Sequence, residues 1–244
     1  MSSDSLKLAV LIDADNVSGA IVKELLEEIA KYGNPVVKRA YGDWTTANLN
    51  GWKDRLHKHA IQPIQQFAYT KGKNSSDSAA IIDAMDLLYA GNLDGFCIVS
   101  SDSDFTRLAT RLRESGKAVF GLGEQKTPES FQAACDKFIF LEVLKKTVAA
   151  PQPGEAKPAP PEKLADLPDL RELLASAVAD TERDNTWSPL SAVGAYLNRK
   201  VASFDPRNYG FEKLGALVRA QDYLEADEKA GPTGTVHLYV RLKR

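Results

Sequence analysis

Residues 96–105 read FCIVSSDSDF. An apolar run, Phe96–Val99, that breaks into two serines and two aspartates is the pattern of a strand buried on both faces and ending at a polar edge. Such a strand needs a layer of structure over each face, so the chain around it must supply helices. The carboxyl edge of an open α/β sheet is where sites are built, and Asp102 and Asp104 lie at that end. A second apolar run, Leu8–Ile12, is followed by Asp13, Asp15 and Asn16. Parallel pairing would bring both acidic ends to one edge, where the carboxylates are expected to share a divalent cation.

The flanking sequence supplies the layers. Lys7–Ile12 is a strand, and Ser18 caps a helix to about Tyr32 that carries Ile21, Leu25, Leu26 and Ile29 at helical spacing before Gly33 stops it. Val36–Tyr41 is a second strand, and Thr45 or Thr46 opens a helix through His59. Ile61–Ala68 is a shorter strand containing Pro63. A helix over Asp77–Tyr89, capped by Ser75 or Ser76, precedes the central strand; Asp104–Ser115 is helical and Ala118–Leu122 is a fifth strand. Pro128 starts a short helix, and Phe138–Leu141 adds an edge strand. Strand and helix alternate, so the fold class is α/β, a mainly parallel sheet with helices on both faces.

Beyond residue 144 the composition changes. Residues 145–163, KKTVAAPQPGEAKPAPPEK, hold five prolines and no aromatic residue, the character of a semi-rigid linker. Two domains and a linker follow from this: an α/β domain at 1–144, the linker at 145–163, and a small α+β domain at 164–244. In the last, Leu170, Leu173, Leu174 and Val178 stripe one helix, Ser188 with Pro189 opens a second through Asn198, and Tyr209–Ala220 forms a third. Tyr223–Ala226 and Thr235–Leu242 flank a turn, with Val236, Leu238, Val240 and Leu242 alternating toward the core. Three helices and a hairpin describe a winged helix.

Net charge and cysteine usage exclude little but set the compartment. A formal charge of −2 announces no nucleic-acid partner and forbids none. Cys97 and Cys135 lack metal-ligand spacing and read as reduced, buried thiols of a cytoplasmic protein. No apolar run approaches a membrane span.

The acids themselves carry the chemistry. Two carboxylates about 4 Å apart repel by roughly 1 kcal/mol in bulk water and roughly 4 kcal/mol at an effective dielectric of 20. Asp13, Asp102 and Asp104 leave strand ends and Asp77 enters the helix between them, so together they need a cation, a shared proton or an arginine. Hard oxygen donors, with Asn16 and the serines to hold waters, suit Mg²⁺ or Mn²⁺ rather than zinc. Taken singly, each acid is equally a helix cap or a partner of a helix dipole. Asp83 is six positions after Asp77, rotated about 120° away on a helix, and suits a supporting role.

LIDADN at 11–16, KGKNSSDSAAIIDAMDLL at 71–88 and SSDSDF at 100–105 together resemble the NYN domain, a bacterial LabA-like branch of the PIN-like nucleases. The resemblance covers residues 6–145 and implies a metal-dependent ribonuclease. Its motif falls on Asp13, Asn16, Asp77, Asp102 and Asp104, with the second helix acid at Asp83. Ser101 stands where many relatives have glycine, and the loop before Asp77 is slightly longer, which leaves Asp77 and Asp83 open as alternatives. WSPLSAVGAYLNRK at 187–200 and FDPRNYGFEKLGALVRAQDYLE at 204–225 resemble the LOTUS, or OST-HTH, winged helix, which implies RNA binding or recruitment of a protein partner.

Basic residues could meet phosphate. Lys71 and Lys73 precede the Asp77 helix, and Arg107 and Arg111 follow Asp104. In the second domain Arg199, Lys200, Arg207, Lys213 and Arg219 are candidates, although residues 162–244 hold twelve Lys and Arg against thirteen Asp and Glu. Trp44 and Trp52 are candidates for base stacking, Trp52 more readily as core. Asp13, Asp77, Asp102 and Asp104 are expected to hold the metal and orient water, with Asn16 and Ser101 as their support. Two other readings fit the same residues: a phosphohydrolase of the haloacid dehalogenase type, because Asp13-Ala14-Asp15 imitates its nucleophile motif, and an RNA-binding adaptor with little catalysis.

Overall fold

The computed structural model describes residues 5–67, 75–148, 167–182, 186–230 and 236–243. The chain divides into two compact units, residues 1–150 and 151–244. The expected linker lies outside the described residues from 149 onward, while its first residues extend a helix that runs to Val148.

The first unit holds six strands: β1 Lys7–Asp13, β2 Asn34–Gly42, β3 Gln62–Gln65, β4 Gly95–Val99, β5 Ala118–Gly123 and β6 Lys137–Phe140. Their spatial order is β3-β2-β1-β4-β5-β6, with every neighbouring pair parallel. The chain builds outward from β1 in one direction and from β4 in the other, so the β1/β4 seam is the switch point of the sheet. Helices α1 Val22–Ile29, α2 Lys53–His59, α3 Ser75–Ala90, α4 Thr106–Glu114, α5 Glu129–Ala134 and α6 Leu141–Val148 cover it. Right-handed crossovers send α1 and α2 to one face and α3, α4 and α5 to the other.

Period-two alternation along β1 sorts its side chains between these layers. Leu8, Val10 and Ile12 cluster with Leu25 and Ile29 of α1 and with Leu141 and Leu144 of α6. Ala9, Leu11 and Asp13 therefore point to the opposite face, where α3 packs on β1 and β2. On β4 the same alternation leaves Phe96, Ile98 and the following Ser100 on one face, all buried. Each fully buried aliphatic side chain contributes roughly 1.5–3 kcal/mol, which fixes the register that aligns the acidic strand ends. Trp52 is buried in this core and meets Trp44 edge to face at 6.2 Å. Trp44 donates its indole N–H to the Ile64 carbonyl at 3.0 Å, so packing, rather than base stacking, employs both rings.

The second unit contains α7 Leu170–Thr181, β7 Ser188–Pro189, α8 Leu190–Lys200, α9 Leu214–Arg219, β8 Leu224–Ala230 and β9 Val236–Leu242. Its antiparallel sheet has the order β7-β9-β8. Leu174, Ala177, Val193, Leu197, Leu217 and Val240 form its core. Three expectations shift here. Ser188 does not cap α8: its hydroxyl donates to the Val178 carbonyl at 2.7 Å, and the residue pairs with β9. The third helix is broken, because Gly210 at φ +86 ends a 3-10 turn at Pro206–Tyr209 before α9 begins. On β9 only Val240 of the alternating apolar set is buried, since the hairpin extends beyond the helices that cover its middle.

Candidate metal centre at the switch point

The carboxylates of Asp77, Asp102 and Asp104 converge, with one oxygen from each lying within 4.8 Å of the others. Asp77 comes from the first turn of α3, and the other two from the turn that follows β4. Asp13, at the end of β1, does not share that set. Its charge nevertheless heads those acting on Asp77.

Asp13 and Asp77 are only 3% and 5% exposed. One carboxylate oxygen of Asp13, Oδ2, accepts from the Asn16 side-chain amide at 2.6 Å and from the Ser100 hydroxyl at 2.8 Å. The other, Oδ1, is buried without a hydrogen-bond partner, as is Oδ1 of Asp77. Buried carboxylate oxygens without partners are costly, and they are what a cation site leaves exposed to its ion. Burial pushes the Asp13 carboxyl above its ordinary range, against the two hydrogen bonds that favour its charged form. Asp77 is pushed up to about 7, first by burial and then by the charges of Asp13, Asp102, Asp104 and Asp15. Among the described residues, the causes that act on Asp77 are desolvation and like charge.

The turn after β4 is tied down on two sides. Ser100 Oγ donates to Asp13 and accepts the Asp102 backbone N–H at 3.1 Å. Ser101 Oγ accepts the Glu124 N–H at 2.8 Å, linking this turn to the end of β5. Gly123 permits the approach, since a Cβ there would stand 2.6 Å from the Ser100 carbonyl oxygen. The cap of the following 3-10 turn, Ser103–Phe105, is Asp102, whose side chain accepts the Asp104 N–H at 2.9 Å. Capping and convergence therefore fall on the same residue, and Asp104 is the exposed member of the three. Ser100 was the residue the motif reading passed over; its alternation with Phe96 and Ile98 is the signal that points it at Asp13.

The remaining candidates divide. Asp83 pairs with Arg39 and accepts from the Tyr41 hydroxyl, both on β2, so of the two helix acids it is Asp77 that stands among the strand-end carboxylates. Arg107 and Arg111 are exposed on α4, and Lys71 and Lys73 lie outside the described residues. In the second unit Arg207 is engaged in a two-pronged contact with Asp205, at 3.0 and 2.7 Å, and Arg219 pairs with Glu228. Lys200 donates to Ser176 at 2.8 Å and lies over the Tyr196 ring, whereas Arg199 and Lys213 are exposed. Among the described residues, no helix is long and apolar enough to cross a membrane.

Hard oxygen donors alone fit Mg²⁺ or Mn²⁺. The span across one such octahedral ion is about 4.2 Å at metal–oxygen distances of about 2.1 Å, close to the spread of the three carboxylates.

Comparison with known proteins agrees with this architecture. A family model of the NYN domain matches residues 7–142, and one of the OST-HTH/LOTUS domain matches residues 166–234. No curated protein is significantly similar to the chain. Similar solved structures include a protein of unknown function from Vibrio parahaemolyticus, 21% identical, covering 57% of this chain and 94% of that one with a TM-score of 0.46. An uncharacterized protein from Nitrosomonas europaea is 34% identical over 39% of this chain and 90% of that one, at a TM-score of 0.32. A protein from Chromobacterium violaceum, residues 175–257, is 34% identical over 34% of this chain and 87% of that one, at 0.27. With six parallel strands, acids at the switch point and a family match over most of the first unit, the chain belongs to the NYN domain family of PIN-like nucleases and carries an OST-HTH/LOTUS domain after it.

Proposed function

We propose that the protein is a metal-dependent ribonuclease that hydrolyses phosphodiester bonds of RNA, with the C-terminal domain binding RNA or a partner. The observation that carries this reading is the convergence of Asp77, Asp102 and Asp104 beside the orphaned oxygens of Asp13 and Asp77. Asp77, Asp102 and Asp104 would hold Mg²⁺ or Mn²⁺, and Asp13 supplies a fourth carboxylate next to them. A bound divalent ion supplies a more acidic water and stabilises charge on the phosphoryl oxygens.

The chain's own residues do the rest. Asn16 and Ser100 hold Asp13 in one orientation through Oδ2, which keeps Oδ1 available to orient water. Asp77 holds its proton to about pH 7 in the absence of a cation, so binding of the ion is coupled to proton release and strengthens as pH rises. Arg107 and Arg111, exposed on the helix that follows Asp104, steer the phosphate backbone toward the acids. Of the basic candidates in the second domain, Arg199 and Lys213 are exposed and offer their charge to RNA.

The test uses the purified full-length protein with Mn²⁺ and single-stranded or structured RNA. Cleavage is expected to stop in EDTA and to fall by on the order of 100-fold or more in Asp77→Asn and Asp102→Asn. Undiminished cleavage in both variants would overturn the site. Tight RNA binding that is insensitive to EDTA and accompanied by no cleavage would assign the protein as an adaptor instead.

A further inference from the structure

Only one face of the antiparallel sheet in the second unit carries the hydrophobic core. Period-two alternation sends Leu224 and Ala226 of β8 and Val240 of β9 to that core, beneath α7, α8 and α9. Glu225, Asp227 and Lys229, paired with Arg241, Tyr239 and His237 in turn, therefore lie on the opposite face. Trp187 joins them, because the next residue, Ser188, is buried and pairs with Val240. Neither Trp187 nor Tyr239 is part of the core cluster, and both side chains are partly exposed.

Cations tie these two rings into one surface. The Lys229 ammonium stands 5.0 Å from the centre of the Trp187 ring and 5.2 Å from that of Tyr239, and the Arg241 guanidinium lies 4.4 Å from the centre of Trp187. Glu225 accepts from Arg241 Nε at 2.8 Å and Nη2 at 2.7 Å, which fixes the guanidinium against the indole while 39% of the Arg241 side chain stays exposed. The same pair lines a cavity of about 550 Å³ with Glu182, Thr186 and Lys243, so the platform has a flank of donors and acceptors. Thr186, which delivers Trp187 to this face, is a β-branched residue at φ +60, a conformation such residues rarely adopt. As stabilisers of the hairpin, exposed cation–π contacts are worth about 0.5–1 kcal/mol each, whereas a base stacked on an aromatic ring is worth about 1–3 kcal/mol.

We propose that this face is where the second domain takes single-stranded RNA, stacking unpaired bases on Trp187, Tyr239 and the guanidinium plane of Arg241. The charge selects the occupant. Outward charges on the two strands balance, Lys229 and Arg241 against Glu225 and Asp227, so the face offers little to a duplex, whose phosphates are outside and whose base faces are already stacked. Unpaired bases bring faces that rings and guanidinium accept whatever the sequence, and the exposed Lys229 ammonium meets the phosphates between them. Arg199 on α8 and Lys213 at the start of α9 belong to the helices that cover the other side of the sheet, so this is a separate surface. The proposal rests on the ribonuclease reading for RNA as the ligand and adds where, and in which form, this domain holds it.

The experiment measures binding apart from cleavage, with the full-length protein in EDTA and the anisotropy of a short fluorescein-labelled single-stranded RNA. Trp187→Ala and Tyr239→Ala are each expected to weaken binding about tenfold, by the same factor at low and high salt because stacking releases no counterions. Trp187→Phe, which keeps a ring, should restore most of the loss and serves as the variant whose folding is least at stake. Tryptophan emission reports the contact itself: unlabelled RNA is expected to quench the wild type, and Trp187→Phe, which retains Trp44 and Trp52, should lose that quenching. A duplex of the same sequence should compete about tenfold less well. Wild-type affinity in both alanine variants would overturn the proposal and leave the face to a protein partner. Quenching that persists in Trp187→Phe, or equal competition by the duplex, would overturn it as well. Cleavage in Mn²⁺ is scored separately: RNA that quenches Trp187 but is never cut sinks the ribonuclease reading alone, and RNA that is cut while both alanine variants bind as wild type sinks the stacking face alone.

Discussion

Asp77 is the residue on which the chemistry and the stability of the first unit meet. In the folded chain without a cation its carboxyl keeps its proton to about pH 7, whereas an unfolded aspartate titrates near 3.9. The folded state thus binds the proton more tightly, and the stability this contributes is present below about pH 4 and lost as pH rises through about 7. Asp77→Asn cannot suffer that loss. It is expected to be more stable than wild type at pH 8 in EDTA by on the order of 2 kcal/mol, about half the full shift, because neighbouring carboxylates share the repulsion. At pH 4 the two should unfold alike, and urea melts at both values check it. The same substitution should abolish the rise in Tm that Mn²⁺ gives the wild type at pH 8, so that one change stabilises the empty chain and removes the benefit of the ion.

At the scale of elements, what matters is how α3 and the β4 turn are fixed. Asp83 ties the middle of α3 to β2 through Arg39 and Tyr41, while Asp77, less than two turns earlier, faces the site. Asp83→Ala should cost about 1–3 kcal/mol by leaving partly buried donors unpaired, yet retain the Mn²⁺-dependent gain in Tm; thermal melts with and without the ion separate the two effects. Gly123→Ala acts from the other side. Its Cβ would meet the Ser100 carbonyl and the Thr127 hydroxyl at 2.6 Å, and relief of that contact moves the residue that holds Asp13. A loss of about 1–3 kcal/mol is expected, together with a fall in RNA cleavage larger than that of Asp83→Ala when both are assayed well below their melting temperatures. The elements themselves were largely legible, with local shifts: Ser18 accepts the Ala20 N–H at 3.3 Å and so caps the 3-10 turn Gly19–Ile21 that leads into α1, while α1 itself has no side-chain cap. The misreadings came where a side chain found a distant partner, as Ser188 found Val178 across ten residues.

Among the described residues, each unit has a hydrophobic core of its own, in the first against the parallel sheet and in the second among α7, α8, α9 and the hairpin. Thermal unfolding should then proceed in two steps. Leu197→Ala, at a fully buried position of the second core, should lower only the transition of the C-terminal unit, by about 2–5 kcal/mol, which calorimetry resolves. By itself the sequence determined the alternation of strands and helices, the parallel sheet, and the delivery of Asp13, Asp77, Asp102 and Asp104 toward one edge. Those are local properties, written in periodicities of two and 3.6 and in the residues at strand ends. The tertiary structure alone decided that Asp77, Asp102 and Asp104 converge while Asp13 stands beside them held by Ser100, and that Asp83 turns to Arg39. Each depends on register and crossover, which bring together residues tens of positions apart along the chain, and no short-range pattern encodes the distance between two such side chains.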